Sequence, residues 1–156
     1  MAVSTLERVF TSPDAARTQA LGRSLAAAAR PGDVVALYGD LGAGKTQFAK
    51  GFGGGLGITD TINSPSFVLM AEYVGRLPLF HIDLYRLAGA DDAIRGGLID
   101  ERQVEGVTLI EWAERLRDAL PTRRLDVAID GSGDEPRTIR IRATDGGLRR
   151  YLEAVS

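Results

Sequence analysis

Apolar positions along the 156-residue chain fall into short runs whose spacing changes from segment to segment. Leu6 to Phe10 is a short mixed apolar stretch and predicts a first strand. Ser12, Pro13 and Asp14 then supply an N-cap hydroxyl, a proline for the first helical position and a first-turn acid, so the Ala-rich segment that follows is expected to be helical to Ala29, where Pro31 and Gly32 stop it. Val34 to Tyr38 is a continuous apolar run, the pattern of a strand buried on both faces. After a glycine-rich loop, Phe48, Phe52 and Leu56 recur every four residues and give the next segment one apolar face at helical spacing.

Pro65 to Val74 and Leu77 to Asp83 are rich in β formers and flank Gly75-Arg76, which predicts an antiparallel hairpin. Ala90 to Arg102, charged and interrupted by Gly96 and Gly97, reads as a broken helix or loop. Val107 to Ile110 predicts another buried strand ending at Glu111, and Trp112 to Leu120 a helix running to Pro121. Leu125 to Ile129 and Thr138 to Ile141 predict two further strands, and Leu148 to Val155 a short terminal helix. Strands alternating with helices, plus hairpins, indicate one α/β domain over residues 1–156, with a mixed central sheet and flanking helices.

Composition removes several chemistries. With no cysteine and one histidine, His81, the chain has no disulfide framework, thiolate nucleophile or multi-His metal site. A net charge of −2 argues against holding nucleic acid by bulk electrostatics. No apolar run approaches the ~18 residues of a membrane span, and Glu7 and Arg8 interrupt the place where a signal peptide needs its apolar core. A soluble cytoplasmic protein is the expectation. Glycine is in excess at 19 residues, eight of them between Gly39 and Gly57, so the excess is local.

That concentration contains Gly39-Asp40-Leu41-Gly42-Ala43-Gly44-Lys45-Thr46, which fits G-x-x-x-x-G-K-[ST] at every fixed position. Glycines let successive backbone N–H groups turn inward around phosphates, and the following helix presents its positive end to them. Lys45 is expected to reach the β- and γ-phosphates, and Thr46 to place its hydroxyl on Mg²⁺. The alternative is a glycine turn that happens to precede a lysine. Two features oppose it: the loop joins a buried strand to a helix, and the chain has only two lysines, Lys45 and Lys50, beside 17 arginines.

A phosphate loop needs a nearby acid on the metal side, and Glu111 and Asp83 compete for that place. Glu111 ends the cleaner buried run and is the better metal-side acid, leaving Asp83 to orient the attacking water or complete the outer shell of the magnesium. Either could instead cap the next helix. His81 fits packing or hydrogen bonding better than general-base catalysis. Trp112 suits a place beside the nucleotide and equally an anchor of its helix on the sheet. Arg140 and Arg142 share one face of their strand as solvated edge charges. A Ras-type guanine signature is excluded because the only asparagine, Asn63, precedes Ser64; adenine is the expected base.

Together, the phosphate loop, Ser64-Pro65-Ser66-Phe67, His81-Ile82-Asp83-Leu84-Tyr85-Arg86-Leu87 and Ile110-Glu111-Trp112, in that order and spacing, resemble the bacterial TsaE family of P-loop ATPases. The resemblance implies a P-loop NTPase fold and a part in making threonylcarbamoyladenosine on tRNA. It implies ATP and Mg²⁺ as cofactors, and the TsaD and TsaB proteins as partners, with tRNA met indirectly through their complex. It also implies nucleotide contacts from Asp40, Leu41, Gly42, Ala43, Gly44, Lys45, Thr46, Ser66 and Trp112, metal contacts from Thr46 and Glu111, and catalytic roles for Lys45, Asp83 and Glu111. Ser64 to Phe67 becomes a switch-like segment near the γ-phosphate.

The chain departs from that pattern in carrying Ser66 for the usual Thr, Gln47 for a second small hydroxyl residue, and Gly53, Gly54 and Gly55 where relatives carry helix formers. At ~1 kcal/mol per glycine relative to alanine, that triplet is expected to fray the last turns of its helix. Two other functions fit the same loop. A small-molecule kinase needs a lid, for which Ala90 to Arg102 is the only space; a nucleotide-gated binding module needs little hydrolysis. Arg86 is a candidate arginine finger, and without an assured one hydrolysis is expected to be slow until a partner completes the site.

Overall fold

The computed structural model describes residues 6–40, 42–62, 70–84 and 101–155. Its strands are β1 (Glu7–Ser12), β2 (Val34–Tyr38), β3 (Met70–Tyr73), β4 (Leu79–Asp83), β5 (Val107–Glu111), β6 (Leu125–Asp130) and β7 (Arg137–Ala143). They form a single sheet in the order β1-β7-β6-β2-β5-β4-β3. The centre is parallel, with β2 between β5 and β6 and β4 beside β5; β1–β7, β6–β7 and the β3–β4 hairpin are antiparallel. The helices are α1 (Ala15–Ala26), α2 (Lys45–Gly55) and α3 (Arg149–Ala154). The mixed sheet, flanking helices and hairpin are those expected from the sequence pattern.

The unbroken apolar run of β5 is buried at every position and β4 at all but its last. The alternating β6 and β7 bury one face only. Helices α1 and α2 cover the larger core, in which Phe48 and Phe52 stack with ring centroids 6.2 Å apart. On the other face Ala36, Ile82, Leu84 and Ile110 pack against Ala113 and Leu116. Among the described residues no helix is long and apolar enough to cross a membrane.

Several local expectations change. Ser12 belongs to β1, with its hydroxyl 2.7 Å from that of Thr18, and the N-cap is Asp14, whose Oδ1 accepts from Arg17 N at 2.9 Å. A carboxylate meets the helix N-terminus better than a hydroxyl. Helix α1 ends at Ala26; residues 27 to 29 keep winding through tighter i to i−3 bonds, and Arg76 in the hairpin turn donates to Ala26 O at 2.8 Å and Ala29 O at 3.2 Å. The segment after Glu111 is a 3-10 helix over Ala113–Ala119 that excludes Trp112. Arg140 and Arg142 do share an exposed face, but β7 lies between β1 and β6 and is no edge strand; Arg140 lies 3.6 Å from Glu7 across the ladder.

The glycine triplet does not fray α2. The helix runs through Gly53 to Gly55 and closes with Leu56 and Ile58 N–H groups on Gly53 O. The reason is contact with α1. A Cβ on Gly55 would lie 2.6 Å from Arg23 O, one on Gly22 would lie 2.5 Å from Phe48 O, and one on Gly51 would overlap Gln19 O. The two helix backbones touch along this seam, which only hydrogen side chains permit. Gly53 leaves room for Ile62 in the same way, while Gly54 faces open space beside the Arg23 guanidinium. Packing thus overrides the intrinsic helix propensity of glycine.

Candidate nucleotide site

Strand β2 ends at Tyr38 and the chain turns through 39–44 into α2, so the loop crosses the C-terminal end of the parallel centre of the sheet, where open α/β sheets bind ligands. Three glycines there have backbone that L side chains rarely adopt: φ is 153° at Gly39, 80° at Gly42 and 113° at Gly44. An added Cβ at Gly42 or Gly44 would meet nothing within 4 Å, so the restriction at those two is conformational. Gly39 is needed for closeness as well, since its Cβ would sit 2.6 Å from Ile129 O.

Lys45 is buried, and its Nζ donates to Gly39 O and lies 3.8 Å from the centre of the Trp112 ring. Burial dominates its titration and lowers its pKa below the usual lysine value; Glu111, Glu114, Asp83 and Asp40 act in the opposite direction. Thr46 follows in the first turn of α2, partly exposed.

The two candidate acids are brought together. Asp83 and Glu111 are register partners at the ends of β4 and β5, and Glu111 is also the partner of Leu37 on β2, one strand from the loop. Glu111 is buried, and its Oε2 lies 2.5 Å from Nε2 of fully buried His81, so the histidine anticipated as a hydrogen-bonding residue orients this carboxylate. Trp112 stands at φ 59°, the one non-glycine positive φ among the described residues, and lies against Lys45. Asp40 is exposed on the loop. Leu41, Ser64 to Phe67 with Ser66, Arg86 and most of the Ala90 to Arg102 segment lie outside the described residues.

Sequence reasoning missed Arg137. From the start of β7 its Nε donates to Ala43 O at 2.9 Å and its Nη2 to Gly42 O and Gly133 O, both at 3.1 Å; Nη1 reaches Glu135 O. One guanidinium therefore ties the glycine loop to the β6–β7 turn. Nothing local in the sequence pairs residue 137 with a loop more than 90 positions earlier.

No group of three or more His, Cys, Asp or Glu that could hold a metal by itself occurs among the described residues. The Thr46 hydroxyl and the Glu111 carboxylate beside the glycine loop are oxygen donors of the kind that would suit Mg²⁺, which binds through one or two carboxylates and completes its shell from phosphates and water.

Residues 12–139 match the family model described as threonylcarbamoyl adenosine biosynthesis protein TsaE. The tRNA threonylcarbamoyladenosine biosynthesis protein TsaE of Bacillus subtilis is 44% identical over 140 residues, 89% of this chain and 87% of that one. Its namesake from Streptomyces coelicolor is 38% identical over 138 residues, 86% of this chain and 93% of the other. The crystal structure of Bacillus subtilis YdiB superposes with a TM-score of 0.77 at 39% identity, covering 94% of this chain and 92% of that one. The chain has a P-loop-type fold and belongs to the TsaE family.

Proposed function

We propose that the chain is a single-domain, Mg²⁺-dependent ATPase that serves the tRNA threonylcarbamoyladenosine machinery in the cytoplasm, acting on a TsaD–TsaB complex and meeting tRNA only through it. The relatives are named for that biosynthesis. The observation that carries the activity is the placement of Lys45 and Thr46 at the start of α2, opposite Glu111 and Asp83 on neighbouring parallel strand ends.

In this reading the backbone of 39–44 cradles the phosphates, with Asp40, Leu41, Gly42, Ala43 and Gly44 supplying the contacts. Lys45 leaves Gly39 O for the β- and γ-phosphates. Thr46 and Glu111 would hold Mg²⁺, which would supply neutralisation of charge on the phosphate oxygens, and His81 keeps the Glu111 carboxylate aimed. Asp83 orients a water whose oxygen forms the new bond to the γ-phosphorus as the bond to the β–γ bridging oxygen breaks, giving ADP and phosphate. Ser66 contributes from the switch-like segment, and Trp112 closes the site over Lys45. Turnover by the isolated chain is slow, and the partner completes the site.

Reconstitution with TsaD and TsaB, following ATP turnover and tRNA modification with wild type and Lys45→Ala, tests this. The expected result is partner-stimulated turnover and modification that both vanish in the variant. Rapid hydrolysis indifferent to the partners, or phosphoryl transfer to a metabolite in place of water, would overturn it.

A further inference from the structure

The ammonium that phosphates would need is already engaged. Lys45 Nζ donates to Gly39 O and sits 3.8 Å from the centre of the Trp112 ring, in a residue only 6% exposed. We infer that the empty site is self-latched: the Gly39 carbonyl and the Trp112 ring hold Lys45 back, and phosphate binds only after the lysine has let go of both. The inference rests on the phosphate-loop reading above and adds to it an autoinhibitory contact, with Trp112 as a positioning residue that acts through Lys45.

Both anchors of the latch are fixed. A Cβ on Gly39 would lie 2.6 Å from Ile129 O and 3.2 Å from the Ala43 Cβ, so this glycine is wedged between β6 and its own loop and its carbonyl has little room to turn away. The peptides on either side of Trp112 are pinned as well. Glu111 O accepts from Leu84 N at 3.1 Å, and Trp112 O accepts from Arg115 N at 3.0 Å. What can move is the lysine side chain, a flexible four-carbon stem rooted in the first turn of α2.

The backbone of Trp112 points the same way. At φ 59° it stands where a bulky residue is strained, and such a conformation persists only where contacts offset it. The left-handed turn is what aims the ring, and the ammonium beneath it is the contact that offsets the strain. Burial strengthens that contact, because a cation over an aromatic face is held most tightly when water is excluded from it.

The latch carries a sign that a simple binding contact does not. A ligand that needs the released lysine binds with an affinity reduced by the fraction of molecules in which the lysine is released. Weakening the latch therefore tightens phosphate binding, whereas removing a ring that merely touched the ligand would weaken it.

Calorimetric titration of magnesium tripolyphosphate, which carries phosphates and no base, into wild type, Trp112→Phe and Trp112→Leu tests this. The expected result is a Kd lower by about fivefold or more for Trp112→Leu, with Trp112→Phe between it and wild type, since phenylalanine keeps an aromatic face for the ammonium and leucine has none. Trp112 is the only tryptophan in the chain, so its fluorescence gives a second readout that needs no change at that position. Wild-type emission is expected to change on saturation with magnesium tripolyphosphate, and Lys45→Met to show the changed emission with no ligand added. A folded Trp112→Leu that binds tripolyphosphate as wild type does or more weakly, or emission indifferent to Lys45→Met, would overturn the latch and leave the phosphate loop standing. A wild-type chain that binds no tripolyphosphate would overturn the phosphate-loop reading together with the latch.

Discussion

Lys45 Nζ lies 3.8 Å from the centre of the Trp112 ring, and Trp112 makes that contact from a left-handed backbone with φ 59°. A bulky residue in that region is strained, and such strain persists where surrounding contacts hold it. Here the cation under the ring and the tight exit from β5 supply them. Replacing Trp112 with Ala removes the ring and keeps the backbone strain; replacing it with Gly removes both. Trp112→Gly is therefore expected to be more stable than Trp112→Ala by about 1 kcal/mol, in spite of the usual cost of glycine. Urea unfolding of the two variants checks this, and Ala equal to or above Gly would contradict the strain.

The α1–α2 seam separates glycines that neighbours differ in needing. Gly51→Ala places a methyl into Gln19 O and forces the helices apart, at an expected cost of about 1–3 kcal/mol. Gly54→Ala meets only the Arg23 guanidinium at 3.7 Å and is expected to stabilise by about 0.5–1 kcal/mol through helix propensity and a less flexible unfolded chain. Chemical denaturation of the two proteins reads the opposite signs; equal shifts would refute the packing account.

Arg137 and Arg140 lie on one strand and differ in what they hold. Arg137 satisfies carbonyls of the glycine loop and the β6–β7 turn, so Arg137→Ala is expected to lose about 2 kcal/mol of stability. Arg140 makes an exposed pair with Glu7, and Arg140→Ala is expected to cost no more than about 0.5 kcal/mol. Denaturant midpoints for both variants provide the comparison.

Tyr38, the last residue of β2, donates its hydroxyl to Asp126 Oδ1 at 3.0 Å, and burial followed by that carboxylate raises its pKa to about 12. A pKa raised in the folded state contributes stability that is fully present below the unfolded value of 10.0 and is lost as pH rises through the folded one. Wild type is thus expected to lose stability between pH 10 and about 12 more steeply than Tyr38→Phe. Unfolding midpoints at pH 9 and pH 11.5 measure the difference, and parallel losses would remove Tyr38 as a cause.

Much of this architecture was legible because its signals are local. Val34 to Tyr38 forms a doubly buried strand as its composition requires, and Leu77 to Asp83 pairs back across Gly75-Arg76. The loop could be read from its own eight residues, since backbone conformation dictates the glycines. What escaped the sequence is contact between distant segments. Gly55 is explained by α1 against it and Gly53 by Ile62, neither of which the sequence pattern signals, and Ser12 lost the N-cap to Asp14 through a choice between two acceptors two residues apart. Arg137 on the loop carbonyls and His81 on Glu111 are tertiary pairings with no fixed spacing. The left-handed Trp112 carried no signal either, because its residue type argues against that conformation.

The central claim is that binding and hydrolysis of ATP reside in different side chains of one site: Lys45 on the phosphates, Glu111 on the metal beside the reacting bond. It is tested most directly by measuring MgATP affinity and single-turnover hydrolysis in parallel on wild type, Lys45→Ala and Glu111→Gln, each with the partner complex present. The account predicts no measurable binding for Lys45→Ala, and for Glu111→Gln an affinity within a few-fold of wild type with hydrolysis lowered by about 100-fold or more. Hydrolysis by Glu111→Gln at the wild-type rate, or a loss that follows affinity step for step in both variants, would contradict it.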